Sequence, residues 1–267
     1  WGNSFVNPNK RARFGATKEM ISLVTGAAVT FVSGIIVDPF VNYEGNVLTS
    51  IDHKAFLFIG LSILIYSVVD FITLFIMKNE VVDNENENEK KESFRSIIVK
   101  IFSNKSFLLI AIFSFVYSMS VSFATPFIGT FRVKTLGLSA TIITAITFVG
   151  LGVRALVSRP FGKFTDKTSY ITGVILGMFI KVAAFTALVF TSTNIWWLII
   201  IYQVFTDIGN AGTGMNMNNI LYSYVDKKYY SEAASLKNAV NGLGHILGGV
   251  FGKLIFDAIG NEGISVG

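Results

Sequence analysis

Asp207 is a carboxylate set in a long apolar stretch, and Gln203, Asn210 and Gly214 recur around it at intervals of four, three and four residues. Those intervals put the four positions on one face of a helix. An ionisable side chain inside hydrocarbon costs roughly 2.5 to 3.5 kcal/mol on insertion scales, so it is a candidate to bind a solute or cation or to relay a proton. The same polar stripe is also able to hold neighbouring helices together by hydrogen bonds. A milder face runs along Ser114, Ser118, Ser122 and Thr125, with Tyr117 at its border and Pro126 as a kink. Hydroxyls beside an aromatic ring suit a polar solute, although such hydroxyls also bond back onto their own helix.

These side chains need apolar helices to carry them, and the composition supplies those. The 267 residues are 52% hydrophobic and only 15% charged, with 25 Phe and 24 Gly. Mean hydropathy is +0.58, far from the averages of soluble domains. With no cysteine there is neither a disulfide nor a thiolate metal site, and two histidines, His53 and His245, do not build a His-based zinc site. No metal or cofactor is expected. No Ser-His-Asp set, phosphate loop or carboxylate pair supports an enzyme.

Seven stretches have the length of a membrane-crossing helix, roughly 18 to 25 apolar residues. They cover residues 20–37, 55–77, 107–130, 139–157, 171–191, 195–222 and 238–256. The fold class expected is an all-α polytopic bundle. Most of the 22 Lys and Arg residues fall in alternate loops, at 10–18, 78–105, 154–167 and 227–237, whereas the opposite loops hold Lys54, Arg132 and Lys134. By the positive-inside rule the basic loops are cytoplasmic, so Trp1 reads as inside and Gly267 as outside. The same asymmetry accounts for the net charge of +5 without a nucleic-acid partner. Asp207, placed twelve residues into a span starting at Ile195, falls roughly 18 Å deep.

One stretch breaks the apolar pattern: RPFGKFTDKTSY, residues 159–170. It resembles the cytoplasmic loop signature of the major facilitator superfamily, in which a Gly, three residues, an Asp and a basic residue join two spans. Gly162, Asp166 and Lys167 match that core, and Arg154 with Arg159 gives the positive approach to it. After Lys167 the pattern departs, with Thr168, Ser169 and Tyr170 where the family has a Gly and more basic residues. In such a loop Gly162 would allow a tight turn and Asp166 would accept backbone N–H groups at a helix start. A short loop merely solvated by Asp and Lys is the plainer alternative.

The resemblance extends to the long polar linker VVDNENENEKKESFRS at residues 81–96. It implies that residues 1–77 end one half of a two-half fold, 78–106 link the halves, and 107–267 form the other half. Two spans before the linker are similar to the fifth and sixth of twelve, and the five after it to the seventh to eleventh, which makes the chain a fragment. It further implies a secondary transporter that moves a small solute by alternating access in the lipid bilayer of a prokaryotic cytoplasmic membrane and is a monomer when complete; protons are a candidate coupling ion, with symport, antiport and uniport left open. The charged loop would be a latch favouring the outward-facing state. The antiporter signature of the family's fifth span is not matched, since Gly26 and Gly34 stand within TGAAVTFVSGIIVDP without a Gly-Pro pair. A seven-helix retinal photoreceptor, with Lys253 holding a Schiff base, is the rival class; the inside start and the lack of an acidic counter-ion in the third span count against it.

Overall fold

The structure, a computed structural model, describes residues 11–44, 47–76 and 93–263. Long helices account for most of it: α1 (Arg11–Val37), α2 (His53–Ile76), α4 (Lys105–Thr130), α5 (Ala140–Lys167), α6 (Tyr170–Val189), α7 (Leu198–Tyr224) and α8 (Tyr230–Gly263). A ten-residue helix, α3 (Phe94–Ser103), precedes α4. Between α1 and α2 lies an antiparallel hairpin, β1 (Val41–Glu44) with β2 (Val47–Ile51), which the hydropathy pattern did not announce.

Six of the helices are long and apolar enough to cross a membrane. The other long one is α7, whose Gln203, Asp207, Asn210, Asn216, Asn218 and Asn219 lower its hydropathy. Its 27 residues still span about 40 Å, and it packs on both α5 and α6. The expected bundle is therefore present, with its most polar helix among its most enclosed. By contrast α2 exposes apolar side chains all round, among them Phe71 and Phe75, which stack on each other.

Two seams show why small residues are placed where they are. Along α6 and α7, a Cβ on Gly177 would come within 2.7 Å of the Gly209 carbonyl oxygen, so the two backbones touch through their glycines. Along α4 and α8, a Cβ on Gly244 would meet the Phe115 carbonyl at 2.6 Å, and Gly252 repeats this against Phe123 at 3.0 Å. The fourfold glycine spacing in α8 is thus a close-packing device.

A third seam joins α1 to α5. The Asp38 carboxylate accepts the Ala140 N–H at 3.2 Å and the Thr141 hydroxyl at 2.6 Å, which caps the start of α5. One or two turns further, Gly34 faces the Thr144 side chain and Phe31 lies 5.4 Å from Phe148 between ring centroids. Further still, Glu19 pairs with Arg154. Rising numbers on one helix meet falling numbers on the other, so the two run antiparallel, as opposite crossings of a membrane require.

The local caps follow from the sequence. Asn104 accepts the N–H groups of Ser106 and Phe107 at the start of α4 and donates from its amide to the Tyr224 carbonyl at 3.0 Å, tying α4 to the end of α7. After α4 a π-helical turn, Phe131–Thr135, leads to Gly137, whose φ of 61° a side chain would strain. That turn seats Leu136 and Leu138 in a core with Ile146, Ala184, Ile199 and Tyr202.

Three expectations change. The stretch at 159–170 is not a loop: α5 continues through Pro160 to Lys167, and only Thr168 and Ser169 separate it from α6. Gly162 is buried within the helix and makes no turn, and Ser169 caps α6 by accepting the Ile171 N–H. A helix tolerates Pro160 there at the expense of one backbone bond, so charge and proline in the sequence did not mark the end of the helix. Next, α7 starts at Leu198 after a run of turns, which places Asp207 nine residues in, roughly 14 Å from that end. Finally, of the linker at 78–106, residues 78–92 lie outside the described residues, and α3 is packed through Ile97, Ile101 and Phe102 on Phe107, Leu221 and Ala233.

Candidate functional site

Asp207 is 3% exposed, wedged between α7 and α5. It fits there because position 150 on α5 is glycine; a Cβ at Gly150 would collide with the Asp207 carboxylate and with Gln203. Gln203, one turn away, donates from Nε2 to Asp207 Oδ2 at 2.6 Å and accepts from Arg132 Nη2 at 2.6 Å. Asn210 adds a side-chain hydrogen bond to Asp207. The predicted stripe of Gln203, Asp207 and Asn210 is therefore one connected polar group, extended by an arginine from the π-helical turn after α4.

A second arginine approaches from α5. Arg154, in the middle of that helix, pairs with Glu19 on α1, and both are about one-fifth exposed. Its charge and that of Arg132 both act on Asp207, and its guanidinium lies 3.5 Å from where a Cβ on Gly214 would be. Arg132 and Arg154 each keep a buried Nε, and Glu19 a buried Oε2, with no partner among the described residues. The cluster thus joins α1, α5, α7 and the end of α4, balances two cations with two carboxylates, and retains hydrogen-bonding capacity.

The candidate face on α4 does not meet this cluster as a unit. Tyr117 accepts a hydrogen bond from Lys181 on α6, Ser118 is buried against Gly244 of α8, and Ser122 shares a hydrogen bond with His245 of α8. The charged residues at the end of α5 separate in the same way. Arg159 and Lys167 are exposed, Asp166 is half-buried beside Thr165, Ser169 and Ser223, and Arg154 stands more than three turns away inside the bundle.

Sequence reasoning missed Arg132, Glu19 and Gly150. Arg132 was counted as a loop cation, yet it is one of three basic residues in the sparsely charged outer loops, which was the available signal. Nothing local marks Glu19 beside Lys18, or Gly150 among the chain's many glycines.

A polytopic bundle with a charged cluster enclosed among its helices is the architecture of an integral membrane transport protein. Residues 112–265, more than half of the chain, match the family model described as Major Facilitator Superfamily. The protein belongs to that family and is a transporter of it. No curated protein and no solved structure matches significantly. Membership leaves the retinal-receptor alternative without support, and Lys253 has an exposed side chain on α8.

Proposed function

We propose that the protein carries a small polar solute across the bilayer by alternating access, with Asp207, Gln203 and Arg132 forming the binding group. The observation that carries this reading is a carboxylate held 97% buried at the α5–α7 contact, in a hydrogen-bonded line to an arginine. Burying a carboxylate costs several kcal/mol unless partners offset it, and a site with a solute or proton to handle gives that cost a use. Asp207 is the residue assigned a coupling proton, and Asn210 steadies it. Tyr117, Ser118 and Ser122 remain candidates on α4, and a prokaryotic cytoplasmic membrane is the proposed location.

In this reading residues 1–77 and 107–267 belong to opposite halves, so the α1–α5 seam lies between them. Asp38 clasps its outer end and Glu19–Arg154 spans its interior. Arg159, Gly162, Asp166 and Lys167 then act as a helical latch at the cytoplasmic end of α5.

The test uses the absence of native cysteine. Gly34→Cys and Thr144→Cys together place two thiols at the outer end of the seam, where the backbone and side chain already touch. The full chain is reconstituted in proteoliposomes, and a transported solute is selected from labelled sugars, amino acids and organic acids. Oxidation of the double variant should stop uptake and reduction should restore it. Uptake unaffected by a formed disulfide would rule out opening at this seam.

A further inference from the structure

Lys181 is a buried cation that the Asp207 cluster does not use. It stands in the middle of α6, eleven residues or roughly 16 Å from Tyr170, and is 7% exposed. Its stem lies on Gly209 of α7, where a Cβ would come within 2.6 Å of Lys181 Cγ, so that glycine makes room for the side chain. Asp207 is two residues from Gly209, on nearly the opposite face of α7, and turns to α5 instead.

The partners of Lys181 are neutral. Its Nζ donates to the Tyr117 hydroxyl of α4 and to Thr213 Oγ1 of α7 at 3.1 Å, and it sits 4.7 Å from the centre of the Tyr117 ring. The Thr213 hydroxyl in turn donates a hydrogen bond to the Gly209 carbonyl at 3.1 Å. Among the described residues no carboxylate lies within ion-pair distance of Lys181, in contrast to Arg154 with Glu19. A lysine has three N–H donors, and the third has no acceptor among the described residues; the Tyr117 hydroxyl, which accepts from the lysine, keeps a proton to give. Two donors and an uncompensated buried charge therefore converge at one point, and burial of charge without a counter-charge is costly.

One to two helical turns from that point, between the same three helices, is an open apolar groove of about 360 Å³, with Leu109 and Ile175 exposed along it. Phe113, Val174 and Met217 line it, each within one or two turns of Tyr117, Lys181 and Thr213 respectively. The link between the two is physical: the Phe113 ring stacks on Tyr117 with centroids 6.4 Å apart. The groove falls in the size range of small-ligand pockets.

We propose that α4, α6 and α7 bind an organic monocarboxylate with an apolar body, its carboxylate on Lys181 and Tyr117 and its body against Phe113, Val174 and Met217. Charge complementarity selects an acid over a neutral apolar molecule, and the lysine's depth selects a free acid over a phospholipid, whose headgroup stays at the interface. This site contains none of Asp207, Gln203 and Arg132, and binding to it is measured apart from what that group transports.

Equilibrium binding tests it without any transport assay. The full chain in nanodiscs of neutral lipid is titrated with phenylbutyrate and, separately, with its uncharged primary amide. Wild type should bind the acid at least about tenfold more tightly than the amide, as expected for a hydrogen bond to a charged group. Lys181→Met should erase that preference, and Val174→Trp should remove binding of both probes by filling the groove. If Lys181→Met does not fold, Tyr117→Phe keeps the cation and should still weaken acid binding several-fold. Equal affinity for acid and amide in wild type would overturn the proposal, as would unchanged acid binding in Lys181→Met. Failure of both probes to bind would mean that an acyl chain or another segment fills the groove, and would overturn it too.

Discussion

The α5–α7 contact and the α4–α8 seam are both built on glycine, yet the glycines admit different things. In α8, Gly244, Gly248 and Gly252 admit the backbone of α4, with Phe115, Met119 and Phe123 carbonyls against them. In α5, Gly150 admits the carboxylate of Asp207 and the stem of Gln203. A close backbone contact gains dispersion and loses little by being permanent. A buried carboxylate held by an amide and approached by two arginines is a costly arrangement, and stability alone does not call for it. The first seam reads as structure and the second as function.

Substitutions sharpen the contrast. The largest effect on stability is expected from Gly248→Ala, whose Cβ would press into the Met119 backbone, a contact that cannot swing aside. Overpacking of this kind costs about 1–3 kcal/mol, so the melting temperature in detergent should fall while uptake per folded molecule stays near wild type. Gly150→Ala meets a movable carboxylate instead. It should leave the melt nearly unchanged and reduce uptake by more than about tenfold, a change of roughly 1.4 kcal/mol in the transport barrier. An equal loss of stability from both substitutions would erase the distinction.

Smaller still is Glu19→Gln. The pair with Arg154 is partly exposed, and such pairs contribute about 0.2–1 kcal/mol, so the balance between inward- and outward-open states should shift by several-fold at most. State-dependent labelling of a cysteine at Thr144 would read that shift. Gly249→Ala is the control beside Gly248, since its added Cβ meets nothing within 4 Å. Its effect should stay within about 0.5 kcal/mol, visible as an unmoved melt.

What the sequence disclosed, and what it hid, follows the same division. Hydropathy located the helices well because each span is a continuous local signal, and the spacing of Gln203, Asp207 and Asn210 gave their shared face. It misjudged residues 159–170, because charge and proline did not mark the helix end, and the helix ends only where Thr168 and Ser169 leave it. The partners were not legible. Arg132 meets Gln203 across 71 residues and Arg154 meets Glu19 across 135, and no periodicity encodes such distances. Lys181 shows the converse: a lysine within an apolar stretch is plain in the sequence, but its hydroxyl partners and the nearby groove depend on three helices meeting.

The most direct measurement sets Asp207→Asn beside Gly248→Ala, following uptake driven by a pH gradient in proteoliposomes together with a thermal melt. The amide removes a buried charge of nearly unchanged shape, so Asp207→Asn should melt at or above wild type and lose gradient-driven uptake by at least about tenfold. Gly248→Ala should do the reverse, melting lower and transporting normally. Undiminished gradient-driven uptake by Asp207→Asn would contradict the assignment of the α5–α7 carboxylate as the working group of this transporter.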